Sequence, residues 1–73
     1  MKEKIIALIE EVLGLPEGII TPETTMDEVE EWDSLAHVML IGMLEERLSV
    51  SIPLDEAVEI TSVKEILEFA GVE

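Results

Sequence analysis

The chain has 73 residues, of which 18 are Asp or Glu and 4 are Lys or Arg, so its formal net charge is −14. So acidic a surface repels nucleic-acid backbones and anionic lipid headgroups, and we expect neither nucleic acid nor membrane as a partner. The chain has no cysteine, which excludes disulfides and thiolate metal sites, yet 48% of its residues are apolar. These proportions predict one small folded domain over residues 1–73, not a disordered acidic tail.

The apolar segments predict neither a signal peptide nor a membrane span. The first of them is interrupted by Glu10 and Glu11, so it lacks the continuous apolar core of a signal peptide. The longest uncharged apolar stretch, residues 35–44, is too short to cross a bilayer. We therefore expect a cytoplasmic protein.

The first predicted helix covers residues 2–13, where apolar residues recur at helical spacing. The intervening acidic residues, Glu10 and Glu11 among them, are expected on the opposite, polar side. Gly14 suits the left-handed conformation that ends a helix, and Pro16 prevents its continuation.

Residues 15–33 form a long connection, because prolines, glycine and threonines interrupt any helical pattern there. An irregular segment of this length is uncommon in a compact domain and is often functional. We expect its apolar side chains to fasten it to the core. These side chains are Ile19, Ile20, Met26, Val29 and Trp32.

The second predicted helix covers residues 34–48 and carries two apolar stripes. The stripe assigned to the core follows helical spacing and consists of His37, Leu40, Ile41, Leu44 and Leu48. The second stripe is a candidate contact surface, with burial under the long loop as the alternative. It consists of Leu35, Val38, Met39 and Gly42.

Two further helices complete the predicted fold. A short helix covers residues 55–59, after Pro53. The last helix begins after Ser62, which forms a capping box with Glu65, and extends to Ala70. No partner strand exists for the weakly alternating residues around Val50. The sequence thus predicts an all-α, small four-helix bundle of three main helices and one short helix, with a long loop between the first two.

Most catalytic and metal-binding arrangements are excluded by composition. One histidine and no cysteine do not make a zinc site, and we expect no metal site. The glycines are scattered and not clustered as in a phosphate-binding loop. His37 lies on the inner stripe and is expected to be a packed residue. A hydrolase that pairs Ser34 with His37 is a remote alternative, because no oxyanion loop is evident.

The tripeptide Asp33-Ser34-Leu35 stands where the long loop enters the second helix. Asp and Ser are both favoured N-caps, so one of them is expected to cap this helix. A phosphodiester on Ser34 would lie at the positive end of the helix dipole, near free amide donors. The position therefore suits an anionic covalent attachment.

The tripeptide belongs to an ordered series of blocks that extends over nearly the whole chain. The blocks are Ile20-Thr21-Pro22-Glu23-Thr24, Asp33-Ser34-Leu35, Leu44-Glu45-Glu46-Arg47-Leu48, Ile52-Pro53-Leu54-Asp55-Glu56-Ala57 and Ile60-Thr61-Ser62-Val63-Lys64-Glu65-Ile66. In order and spacing this series resembles the acyl carrier protein family, small acidic helical domains that carry phosphopantetheine on a serine.

The resemblance implies that Ser34, flanked by Asp33 and Leu35, receives 4′-phosphopantetheine covalently from coenzyme A through a magnesium-dependent phosphopantetheinyl transferase. The prosthetic thiol would then hold acyl intermediates as thioesters, so the protein itself is a non-catalytic shuttle. The other partners implied are acyl-loading, condensing or acyltransferase enzymes with basic patches, and we expect a monomer.

The resemblance also implies two further groups of residues. A partner-binding surface on the second helix comprises Leu35, Val38, Met39, Glu45 and Glu46. Core residues that part to admit an acyl chain are, by analogy, Met26, Leu40, Leu44, Ile52, Ile60 and Val63. Ordinary core packing is the alternative role for this second group.

The chain departs from the family pattern around the serine. Carriers of fatty acid synthesis usually show Gly-x-Asp-Ser-Leu and acidic first turns in the helix that follows. Here Glu31 and Trp32 precede Asp33, and the early-turn positions are Ala36 and Met39. These departures favour a specialised pathway, with an unusual acyl or aminoacyl unit, at least as much as housekeeping fatty acid synthesis. Trp32 is expected either to fix the loop against the core or to contact partners.

Two other functions stay open at this point. One is a helical scaffold subunit with the same fold, in which Ser34 stays unmodified and merely caps the second helix. The other is an aminoacyl or peptidyl carrier. The sequence does not identify the cargo.

Overall fold

The computed structural model describes residues 2–71, and its regular elements are helices. The ends of the predicted domain, residues 1, 72 and 73, lie outside the described part. The four α-helices are α1 (Lys2–Leu13), α2 (Ser34–Leu48), α3 (Leu54–Ala57) and α4 (Val63–Phe69), and a 3₁₀ turn at Met26–Glu28 interrupts the long loop. Within residues 2–71 the only β-type pairing is an isolated bridge between Thr25 and Ser62. The predicted all-α, four-helix fold is confirmed.

Helix α3 begins one residue earlier than predicted and is shorter. The Pro53 carbonyl accepts hydrogen bonds from the amides of Glu56 (3.0 Å) and Ala57 (2.8 Å), so the helix starts directly after the proline. Val58 is its C-cap residue, which excludes the predicted end at residue 59.

Helix α4 begins as its capping residues predict. The Ser62 hydroxyl accepts from the Glu65 amide, and the Glu65 carboxylate accepts from the Thr61 amide at 3.0 Å. Ala70 is the C-cap residue and not the last helical residue, and Gly71 follows it with a positive φ of 75°. The first bond satisfies an amide that a helix N-terminus otherwise leaves without a partner. The second holds the residue before the cap, whereas a full capping box would bind the amide of Ser62 itself.

One hydrophobic core joins the helices to the long loop. Trp32 is the largest of its almost fully buried side chains. The other members are Ile5, Leu8, Ile9, Leu13, Ile20, Val29, Leu40, Ile41, Leu44, Val50, Ile52, Ala57, Ile60, Val63, Ile66 and Leu67. The long loop therefore packs as part of the bundle, as predicted.

Glu10 was expected on the polar side of α1, and that expectation is wrong. Its side chain is buried, and its Oε2 accepts hydrogen bonds from the amides of Gly18 (2.9 Å) and Ile20 (3.0 Å). A buried carboxylate is tolerated here because loop amides take the place of water. Periodicity alone cannot reveal such a partner, since the donors come from the backbone of another segment.

The same contact explains why Ile19 does not fasten the loop, contrary to expectation. The amides of Gly18 and Ile20 both turn toward Glu10, and the intervening Ile19 side chain is 54% exposed. Ile20 takes the core position instead. Met26 is only partly buried and packs against the edge of the core.

Helix α2 exposes the second stripe and buries the first. His37, Leu40, Ile41 and Leu44 are buried, and Leu48 is partly buried at the end of the stripe. The second stripe is not covered by the loop, because Leu35 is 71%, Val38 55% and Met39 54% exposed.

No helix within residues 2–71 is long and apolar enough to cross a membrane.

Candidate functional site

Ser34 is the first residue of α2, and Asp33 is its cap. Asp33 has extended backbone angles, and its Oδ1 accepts from the Ala36 amide at 2.9 Å. Its carbonyl accepts from the His37 amide, also at 2.9 Å. Of the two capping candidates the structure selects Asp33, so the exposed Ser34 hydroxyl is not needed as the cap.

The surroundings of Ser34 fit a phosphodiester. The first turn of α2 contains no acidic side chain, and the carboxylate that directly precedes Ser34, that of Asp33, caps the helix. Amides at a helix N-terminus favour negative charge through hydrogen bonding and the helix dipole. Ser34 itself is exposed, which leaves room for a large substituent.

Trp32 lies on the inner side of the same segment. Its side chain is 2% exposed, and its amide donates to the Val29 carbonyl at 3.0 Å. Its indole Nε1 donates to Nδ1 of His37 at 3.0 Å. Of the two expected roles for Trp32, the structure supports fixing the loop against the core and not contact with partners.

His37 is a packed residue, as predicted, and both of its ring nitrogens are engaged. Nδ1 accepts from Trp32, and Nε2 lies 2.7 Å from the Ala57 carbonyl oxygen. Indole N–H can only donate and a carbonyl can only accept, which assigns the proton of the neutral ring to Nε2. The His37 ring is therefore not available as a base for Ser34, and the hydrolase alternative fails.

The residues expected at the partner surface lie exposed along α2. Leu35, Val38 and Met39 occupy its first turns, while Glu45 and Glu46 are exposed nearer its end. The surface is thus apolar beside Ser34 and acidic farther along the helix.

Two exposed apolar side chains on and beside α3 were missed by the sequence analysis. Leu54 is 66% and Val58 65% exposed. The contact between His37 and the Ala57 carbonyl brings this short helix against the beginning of α2. The short length predicted for this helix could have indicated their exposure. A helix of a single turn that buries Ala57 cannot also bury its other apolar side chains.

The six residues expected to line an acyl pocket meet in the core. Leu40, Leu44, Ile52, Ile60 and Val63 are at most 6% exposed, and the partly buried Met26 packs against them. Two surface depressions, of about 380 and 220 Å³, are lined by other residues. The larger lies between α1 and the loop, around Glu10 and Gly18. Residues 2–71 contain no group of His, Cys, Asp or Glu side chains that could hold a metal ion.

Comparison with known proteins gives a consistent result. A family model described as "Phosphopantetheine attachment site" matches residues 3–70. The acyl carrier protein of Rubrobacter xylanophilus is 40% identical over 72 residues, which is 93% of this chain and 89% of the relative. That of Syntrophobacter fumaroxidans is 39% identical over 94% of this chain and 85% of the relative. That of Thermosynechococcus vestitus is 36% identical over 92% and 83%.

Proposed function

This chain belongs to the acyl carrier protein family, whose cofactor is covalently attached 4′-phosphopantetheine, and we propose that Ser34 is the attachment residue. The observation that supports this most strongly is that the cap and the exposed serine at the start of α2 are two different residues. Asp33 caps the helix, which leaves the adjacent serine exposed in an anion-favouring first turn.

Attachment requires a nucleophilic serine that a separate transferase can reach. The Ser34 Oγ forms a bond to the phosphorus of coenzyme A that carries the pantetheine arm. The pyrophosphate bond breaks, adenosine 3′,5′-bisphosphate leaves, and the serine proton passes to a base of the transferase. Asp33 and Leu35 flank the reacting oxygen, Asp33 by holding the turn and Leu35 by offering an exposed apolar contact. The bound group supplies a thiol that carries acyl units as thioesters.

We propose that partners dock on α2 through two kinds of contact. Leu35, Val38 and Met39 provide exposed apolar area beside the attachment point, while Glu45 and Glu46 attract basic partners. The partners are the phosphopantetheinyl transferase and acyl-loading, condensing or acyltransferase enzymes. Because the first turns of α2 lack acidic residues, docking near Ser34 depends on burial of apolar surface.

The core residues Leu40, Leu44, Ile52, Ile60 and Val63, with Met26 at the edge, are proposed to part when an acyl chain is carried. Their support is that they form one contiguous apolar cluster. The protein acts as a non-catalytic shuttle in fatty acid, polyketide or a specialised synthesis. The apolar start of α2 supports the specialised pathway at least as well as housekeeping fatty acid synthesis.

We further propose that residues 1–73 form a single carrier domain that acts as a cytoplasmic monomer. The family match over residues 3–70 supports one domain. The net charge of −14 opposes self-association and contact with nucleic acids or anionic membranes.

The direct test is the intact mass of the protein after incubation with coenzyme A, magnesium and a broad-specificity phosphopantetheinyl transferase. We expect a gain of one phosphopantetheine in the wild type and none in Ser34→Ala. Ser51→Ala, which removes another exposed serine, is the matched control and should be modified like the wild type. A folded wild-type protein that gains no mass would instead support the unmodified scaffold.

A further inference from the structure

Two buried residues on either side of Ser34 in sequence, Trp32 and His37, are joined to each other. Trp32 donates from Nε1 to Nδ1 of His37 at 3.0 Å, and their ring centroids lie 5.9 Å apart. The Nε2 of His37 donates to the Ala57 carbonyl at 2.7 Å. We call these three residues the Trp32–His37–Ala57 network. Ser34 lies between the first two members in sequence but outside the core in space.

Backbone hydrogen bonds hold the same segment from both sides. The Trp32 amide is bound by the Val29 carbonyl, and the His37 amide by the Asp33 carbonyl. With both rings buried, rotation of the segment would have to break a buried hydrogen bond and leave polar atoms without partners. The orientation of Ser34 is therefore set by contacts on either side of it.

The network also ties this segment to α3. Ala57 is the last residue of α3, and its carbonyl accepts from the Ile60 amide as well as from His37. The exposed side chains of Leu54 and Val58 are thereby held beside the beginning of α2. A partner that reaches Ser34 meets a surface whose two helices are fixed to each other.

We infer that the Trp32–His37–Ala57 network holds Ser34 in the orientation that the modifying transferase requires, so that Trp32 and His37 are positioning residues for the attachment step. This inference rests on the proposed attachment at Ser34. Neither side chain touches the reacting atoms. They act by keeping most molecules in the arrangement that the transferase can bind. If fewer molecules are in that arrangement, the apparent affinity of the transferase for the carrier falls in proportion.

The test compares wild-type protein, Trp32→Phe and His37→Gln as substrates of the transferase. Phenylalanine keeps a buried ring but lacks the N–H donor. Glutamine can still donate to Ala57 from Nε2, and its acceptor oxygen is then displaced from the position of Nδ1, so the indole N–H loses its acceptor there. Loss of one hydrogen bond of ordinary strength lowers the ratio of competent to other arrangements about fivefold. Since KM rises as the competent fraction falls, we expect KM for the carrier to rise by up to about fivefold, with kcat unchanged. The double variant should show no larger rise, since both changes break the same bond.

Ile66→Val is the matched control, because Ile66 is fully buried in α4 and lies outside the network. It should lower stability while leaving KM at the wild-type value. A second readout is the indole N–H signal of the single tryptophan in NMR spectra. In the wild type this proton should exchange slowly with solvent, and in His37→Gln rapidly.

The result that supports the inference is a rise in KM in both folded network variants with none in Ile66→Val. A folded Trp32→Phe or His37→Gln with wild-type KM would overturn it, as would an equal rise in the control. If wild-type protein were not modified at all, the proposed function would fail together with this inference. If the wild type is modified and both network variants have the wild-type KM, only the inference fails and the proposed function stands.

Discussion

At the scale of single residues, the polar side chains that reach the core have specific backbone or side-chain partners. Glu10 satisfies two loop amides, and His37 satisfies one indole and one carbonyl. Among the described residues no buried side-chain nitrogen or oxygen is left without a hydrogen bond. These contacts fix the long loop at both of its ends, near Gly18 and at Trp32, and so determine where Ser34 is presented.

Glu10→Ala tests the contact at the first end of the loop. Removing the carboxylate leaves the buried Ile20 amide and the part-buried Gly18 amide without their acceptor. A buried unsatisfied group costs about 1–3 kcal/mol, and a hydrogen bond to a charged group contributes about 1.5–3 kcal/mol. We expect the free energy of unfolding, measured by urea titration, to fall by about 2–4 kcal/mol with an unchanged m-value.

Glu11→Ala is the neighbouring control. Glu11 is exposed and pairs with Arg47 at 2.9 Å, and such surface pairs contribute about 0–1 kcal/mol. Equal losses in the two variants would contradict the role assigned to Glu10.

At the scale of elements, the helix boundaries follow local chemistry. The bounds of α1 and α2 were predictable, because Gly14, Asp33 and the apolar periodicity are all local signals. The buried position of Glu10, the exposed position of Ile19 and the contact between Trp32 and His37 were not. Each depends on which distant segment supplies a partner, and a single sequence does not contain that information.

The end of α2 provides a test of backbone strain. Ser49, its C-cap residue, adopts a left-handed conformation with φ 57°, and its amide donates to the Leu44 carbonyl. This conformation costs a non-glycine residue about 1–2 kcal/mol, whereas glycine adopts it freely. Glycine also increases the conformational entropy of the unfolded chain, which offsets part of this gain. We therefore expect Ser49→Gly to raise the free energy of unfolding by about 0.5–1 kcal/mol, measured by thermal unfolding. Ser51→Gly, outside any helix, serves as control, and a Ser49→Gly protein that is less stable than the wild type would refute the argument.

The beginning of α4 provides a pH test. The backbone hydrogen bond from Thr61 is the main cause that lowers the pKa of Glu65 below its ordinary value of 4.5, with smaller help from Ser62. The pKa of Glu65 is lower in the folded protein than in the unfolded chain. Its contribution to the free energy of unfolding is therefore complete at pH values above the unfolded-state pKa, and it is lost as the pH falls through the folded-state pKa. The difference in unfolding free energy between wild type and Glu65→Gln should therefore shrink as the pH is lowered through and below 4.5.

The matched comparison is Glu68→Gln, an exposed residue of the same helix. The difference in unfolding free energy between wild type and Glu68→Gln should change less over the same pH range. A Glu65→Gln difference that is constant with pH would contradict the assigned hydrogen bonds.

At the scale of the whole molecule, the net charge of −14 and the placement of apolar surface have different consequences. The total charge extends attraction toward basic partners over about a Debye length, roughly 10 Å at 0.1 M salt. The exposed apolar start of α2 acts only on contact. Long-range encounter and final docking are therefore expected to depend on different residues of the same helix.

Charge reversal separates these effects. Glu45→Lys combined with Glu46→Lys should lower kcat/KM of the transferase and flatten its dependence on salt, because both side chains are exposed on the proposed docking helix. Glu23→Lys combined with Glu68→Lys changes the net charge equally at exposed sites outside α2. Equal effects of the two pairs would show that total charge, not its position on α2, governs encounter.

The central claim is that phosphopantetheine is attached at Ser34, and the most direct measurement is tandem mass spectrometry of the protein after transferase treatment. The chain contains serines at positions 34, 49, 51 and 62, so the modified residue can be assigned from fragment masses. We predict one phosphopantetheine, located on Ser34. Attachment at another serine, or a folded protein that remains unmodified, would contradict the claim.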